Sequence, residues 1–231
     1  MNTFFDTNVI IGYIYSMDPL NSASKKALIK ENVNYFSFHV KQEVNIVARR
    51  KNREYHKFLQ KIADLINNVD DSSLIDFSKI HRAINKFQAI GELDVDDMHS
   101  AIDVIWDKLD FDENTDAFRV KSNFSNYCHN FHQVHRNCKN RCFKKMECIP
   151  AYRQKDKSVL AKIDKKSLRG EDCLHGEDEE ILFDVHDYLK NNHDLDLLFV
   201  SGDKRFVKAI SILIDVLAFT RFIYLDDLVK N

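Results

Sequence analysis

Apolar residues fall in short runs near both ends of the chain and at helical spacing through its middle. Thr3-Phe4-Phe5 is a short run that stops at Asp6-Thr7-Asn8, and Val9, Ile10, Tyr13 and Ile14 then recur as in a helix. A capped helix is expected from about Asn21 to Lys30, with Ala23, Ala27 and Leu28 inward. Tyr35-Phe36-Ser37-Phe38 reads as a second strand leading directly into a helix over His39–Arg50. Leu197-Leu198-Phe199-Val200 reads as a third strand. It meets a tight turn at Ser201-Gly202-Asp203 and a helix carrying Phe206, Val207 and Ile210. Arg221-Phe222-Ile223-Tyr224-Leu225 is a fourth. Strands alternating with helices predict an α/β fold, a parallel sheet with right-handed crossovers.

The middle behaves differently. Between about 53 and 170 the pattern shows no strand. Phe58, Ile62, Leu65 and Ile66 recur at helical spacing, as do Leu74, Phe77, Ile80, Ile84 and Phe87, and more helix is expected through 94–110 and 116–147. That is too long for one crossover. The expectation is an α/β core of 1–52 plus 172–231 with an all-helical insertion over 53–171.

Composition supports a helix-rich chain. Of 231 residues only 5 are glycine and 2 proline, so tight loops are few, while 17 phenylalanines supply core volume. The net charge of -2 leaves any nucleic-acid site to local charge. Residues 92–116 carry ten acids against Lys108 alone, and 136–169 carry twelve Lys/Arg against three acids. Two readings stay open: the blocks fold against each other as a salt-bridged helical pair, or the basic block, with Arg136, Lys139 and Arg141, grips phosphates. No run reaches the roughly eighteen apolar residues of a membrane span, and the first residues lack a signal peptide's basic start. Five cysteines, not spread as a disulfide framework, fit a reduced, cytoplasmic protein.

Candidate chemistry sits at strand ends and on helix faces. Ligands of open α/β sheets bind at the carboxyl ends of the strands, where Asp6 and Asp203 fall by position. Each also has a bland role, Asp6 in an Asx turn and Asp203 as a helix N-cap. Val40, Glu43, Val44 and Val47 share one helical face, so Glu43 points where its valine neighbours point. Such a glutamate is costly unless paired or bound to a cation. Asp178 lies one turn ahead of Leu182, Val185 and Leu189. There it either joins the same site or complements a helix dipole, and Glu177 and Glu180 crowd it. Converging carboxylates call for Mg²⁺ or Mn²⁺, which prefer hard oxygen ligands and suit phosphodiester hydrolysis.

Phe-Phe-Asp6-Thr-Asn-Val, Glu43 after the second strand, Asp178-Glu-Glu-Ile-Leu and Phe-Val-Ser-Gly-Asp203-Lys-Arg-Phe together resemble the PIN-domain family. The resemblance covers roughly 1–52 and 172–231. It implies a Rossmann-like parallel sheet, an acidic Mg²⁺ or Mn²⁺ site and endoribonuclease action on single-stranded or exposed RNA. Carried over by position, Asp6, Glu43, Asp178 and Asp203 form the acidic set, supported by Asn8 and Ser201. Many members are toxins of toxin–antitoxin pairs, so an antitoxin or other protein partner, or a second copy of the chain, is an expected partner. Others process ribosomal RNA. Three departures stand out. Arg205 replaces a further acid found in many members and, with Lys204, would meet a phosphate. The Asp178 position competes with Glu177, Asp96 and Asp97. The central stretch is much longer than in the small toxins. A non-catalytic RNA-binding or assembly module of the same fold is the alternative.

Residues 128–148 add Cys128, His129, His132, His135, Cys138, Cys142 and Cys148, with Cys173 further on. They invite a structural Zn²⁺. Against that, Cys128, His135, Cys138 and Cys142 share a helical stripe with Tyr127, Phe131 and Val134, the look of a core face with small cysteines.

Overall fold

β1 (Asn2–Phe5), β2 (Asn34–Ser37), β3 (Glu147–Ile149), β4 (Leu197–Ser201) and β5 (Arg221–Tyr224) form one all-parallel sheet in the order β3-β2-β1-β4-β5. This computed structural model describes residues 2–29, 33–169, 174 and 176–230. Ten helices are described: α1 (Thr7–Ile14), α2 (Asn21–Ile29), α3 (Phe38–Asn67), α4 (Phe77–Ile84), α5 (Val95–Lys108), α6 (Ala117–Lys144), α7 (Lys157–Lys165), α8 (Gly176–Lys190), α9 (Lys204–Leu213) and α10 (Leu225–Lys230). None is long and apolar enough to cross a membrane.

A parallel sheet is covered on both faces, so its strands read as unbroken apolar runs rather than alternating ones. Phe4, Phe5, Phe199 and Val200 are accordingly fully buried. Phe4 stacks on Phe199 with ring centroids 4.9 Å apart, and Phe199 stacks on Phe219 at 5.5 Å. The register sets Phe5 beside Val200 and Thr3 beside Asn34. The chain runs from β1 outward through β2 to β3, then returns to the other side of β1 for β4 and β5. Strand order therefore reverses between β1 and β4, and the crevice at their carboxyl ends is where such sheets bind ligands.

Two expectations are corrected. The stretch over 53–170 does contain a strand: Glu147-Cys148-Ile149 leaves α6 and pairs with Tyr35, Phe36 and Ser37 of β2. It has no alternating or apolar run of its own. The open edge of β2 makes it a strand, as context overrides a weak local preference. The helix after β2 does not stop at Arg50 but runs on to Asn67. No glycine or proline interrupts it, and Tyr55, Phe58, Leu59, Ile62 and Ile66 prolong the buried stripe.

The chain divides into two compact units, 1–47 with 139–231, and 48–138. The division thus gives 139–171, expected in the insertion, to the sheet-bearing unit. The second unit is helical apart from bridges and builds its own core from Phe58, Ile62, Ile84, Met98, Ile102, Ile105, Val120 and Phe124. Lys30 and Cys173 lie outside the described residues.

Candidate metal centre

Asp6 follows the last residue of β1, and its backbone N–H donates to the Val200 carbonyl of β4 at 3.1 Å. It caps α1: Oδ1 accepts from the Thr7 N–H at 2.6 Å. Oδ2 accepts from the Ser201 hydroxyl at 2.7 Å, and Ser201 Oγ accepts from the Asp203 N–H at 2.9 Å. On the other side the Thr7 hydroxyl donates to Glu43 Oε2 at 2.6 Å. Glu43, Thr7, Asp6, Ser201 and Asp203 thus form one hydrogen-bonded chain across the carboxyl ends of the two strands that flank the reversal.

Asp6 is 2% exposed. Burial pushes its carboxyl up to about 8, the nearby charges of Glu43 and Asp178 add to the rise, and the Ser201 and Thr7 hydrogen bonds oppose it. Among the acids that open α8, Asp178 adds to the rise at Asp6. Glu177 is exposed, while Glu179 and Glu180 are held by Lys155 at 2.9 and 2.8 Å. Asp96 and Asp97 belong to the first turn of α5 in the second unit, where Asp97 completes a capping box with Asp94.

Asp203 caps α9 by accepting from the Arg205 N–H at 2.7 Å, and the Arg205 guanidinium reaches its Oδ2 at 3.0 Å. Burial works upward on this carboxyl, but Arg205 outweighs it and holds the group below its usual value. Arg205, expected to meet a phosphate, is therefore spent on Asp203. Lys204 lies over the Tyr224 ring at 5.0 Å. Lys139 donates to Asn45 Oδ1 at 2.6 Å, and Arg136 and Arg141 are exposed. Asn8 is exposed, and a side chain at Gly202 would meet it at 3.2 Å. Thr7 links Glu43 to Asp6, through its hydroxyl and its backbone N–H, and the Ser201 hydroxyl links Asp6 to Asp203.

The basic block spends much of its charge inside the sheet-bearing unit. Lys162 pairs with Asp215, and Arg169 with Asp164 and Glu179.

A further polar cluster lies at the carboxyl end of β2, and the sequence reading missed it. Asp184, fully buried on α8, accepts from the His39 N–H at 3.2 Å, from His39 Nδ1 at 2.9 Å and from the Tyr152 N–H at 3.0 Å. The Tyr152 hydroxyl donates to Glu180 at 2.5 Å. One signal was available: an aspartate inside the run Ile181-Leu182-Phe183-Asp184-Val185, at a position that an apolar helix face buries.

The cysteine–histidine stretch lies along α6 and into β3. Phe131, His135 and Cys142 are buried, whereas Val134, expected on the same face, is 46% exposed. His135 Nδ1 bonds the Phe131 carbonyl at 2.7 Å, and the Cys142 thiol contacts Met146 at 3.7 Å. Burial lifts the Cys128 thiol to about 11. Among the described residues no three His, Cys, Asp or Glu side chains are gathered closely enough to hold a metal ion as they stand, in this stretch or at the carboxylates.

The fold is thus an α/β parallel sheet with carboxylates at its strand reversal. No family model, no curated protein and no solved structure matches the chain.

Proposed function

We propose that this chain is a PIN-like endoribonuclease that hydrolyses phosphodiester bonds in RNA with Mg²⁺ or Mn²⁺. The observation that carries the reading is the hydrogen-bonded row Glu43–Thr7–Asp6–Ser201–Asp203 at the strand reversal, with Asp178 close enough to act on Asp6. The donor set suits the ion: carboxylate oxygens alone, the hard ligands that Mg²⁺ and Mn²⁺ take. Each Asp6 oxygen accepts one hydrogen bond and keeps a lone pair. Asp6, Glu43, Asp178 and Asp203 would hold the cation, with Asp203 turning from Arg205 to do so. Held there, the cation would offset the repulsion among these groups and would supply an activated water. Thr7 and Ser201 orient the carboxylates, and exposed cations of 136–169 such as Arg141 attract the phosphate chain.

The test is cleavage of a mixed-sequence single-stranded RNA by the full chain in Mn²⁺ or Mg²⁺, with EDTA as control. Products that depend on the ion and vanish in Asp6→Asn support the reading. Products undiminished in that variant sink the assigned site. The Arg205–Asp203 pair favours a second reading, an RNA-binding or assembly module whose carboxylates are neutralised without metal; it predicts ion-independent RNA binding and no products.

A further inference from the structure

The carboxyl end of β2 carries a row of rings that hydrolysis does not use. Phe38, the first residue of α3, is 41% exposed. Its ring meets His39 edge-on at 5.4 Å, and His39 lies over Tyr152 at 5.8 Å with the planes inclined by 29°. Tyr152 rests in turn on buried Phe183 at 5.7 Å. The row is fixed from below: Asp184 holds His39 Nδ1 and the Tyr152 N–H, and Glu180 holds the Tyr152 hydroxyl. His39 and Tyr152, held in this way, give the Phe38 ring a fixed neighbour to lie against.

Its position is informative. His39 and Glu43 stand one turn apart on the same face of α3. Phe38 is five residues from Glu43, about 7.5 Å along the helix axis and about 140° around it, so the two side chains leave α3 on different faces. Cations border the row. Exposed Lys41 lies one turn from Phe38, and exposed Arg153 follows Tyr152, whereas Lys155, 5.8 Å over the Tyr152 ring, is paired with Glu179 and Glu180. Aromatic faces bordered by positive charge are how proteins hold single strands, because every base has a π-face to stack. Bases inside a duplex are already stacked and cannot reach such a platform.

We infer that Phe38, beside His39 and Tyr152, is a stacking platform for an unpaired base of single-stranded RNA. The RNA partner rests on the proposed function; the stacking does not require cleavage. The test is binding of a fluorescein-labelled single-stranded RNA to the full chain in EDTA, where no turnover occurs, read by anisotropy. Phe38→Ala is expected to weaken binding about 5- to 150-fold, the range that loss of one base stack gives. Phe38→Trp is expected to retain or tighten it, and a duplex of the same sequence to bind more weakly than the single strand. A 2-aminopurine base in the strand is expected to be quenched by the wild type and released in Phe38→Ala. Equal affinity of Phe38→Ala and wild type, equal weakening by Ala and Trp, equal affinity for the duplex, or no binding by the wild type each overturns the platform. Binding that depends on Phe38 without cleavage in Mn²⁺ keeps the platform and removes the nuclease. Cleavage at wild-type kcat/KM by Phe38→Ala does the reverse.

Discussion

Replacing Asp6 by asparagine is predicted to stabilise the metal-free protein at pH 8. The folded carboxyl is raised from 3.8 to about 8, chiefly by burial. The folded state therefore holds a proton that the unfolded chain releases near its ordinary value, and stability falls as pH rises between the two. Below that window the contribution is intact; above about 8 it is gone. Each unit is worth 1.36 kcal/mol, so a gap of about four units comes to on the order of 5 kcal/mol. Asparagine has the same shape and never ionises. Its amide can still pair with Thr7 and Ser201, at a cost of about 1 kcal/mol for poorer geometry. At about 2–4 °C per kcal/mol for a chain of this size, the variant should unfold roughly 10 °C above wild type. The assay is thermal unfolding in EDTA from pH 4.5 to 8.5. The difference should shrink to a few degrees at the acid end, and Mn²⁺ should raise the wild type far more than the variant. Asp6→Asn unfolding below wild type at pH 8 in EDTA would refute the reasoning.

Thr7→Val keeps the shape of the side chain but removes the hydroxyl that orients Glu43. RNA cleavage should fall about 10-fold with the melting temperature unchanged or higher, and full activity would show that the bridge is incidental. Arg205→Ala frees Asp203, so its carboxyl should move back up and Mn²⁺ affinity by calorimetry should rise severalfold; unchanged affinity would remove Asp203 from the ligand set. His135 is held down at about 4 by burial. The stability it contributes is present above its ordinary value of 6.5 and is lost as pH falls through that window, by roughly 3 kcal/mol. In His135→Gln, denaturant unfolding of the helical unit should lose that acid-side slope.

Much of the sheet was legible because a parallel strand, buried on both faces, must be an apolar run. Thr3-Phe4-Phe5, Tyr35-Phe36 and Leu197–Val200 announce themselves, and the acids that follow the first and the last, Asp6 and Asp203, are visible by contrast. β3 was hidden for the opposite reason: with Glu147 and Cys148 exposed, its three residues carry no pattern, and only the open edge of β2 makes them a strand. The acidic set was readable as positions on strand ends and helix faces. What joins it was not. Thr7 reaches Glu43 across 36 residues, and Ser201 reaches Asp6 across 195. Periodicity says which way a side chain points but not which hydroxyl lies opposite. Arg205 shows the same limit. Its charge suggested a phosphate, but two residues away Asp203 offers a nearer anion. Asp184 was masked by its apolar neighbours, and its role appears only once His39 and Tyr152 are brought to it.

The most direct test of the central claim is the anomalous scattering of crystals grown with Mn²⁺. A single strong peak bonded to an Asp6 oxygen, with Glu43 or Asp178 in the same coordination sphere, is the predicted result. A peak elsewhere on the protein, or none at Mn²⁺ concentrations that saturate known carboxylate sites, would contradict it.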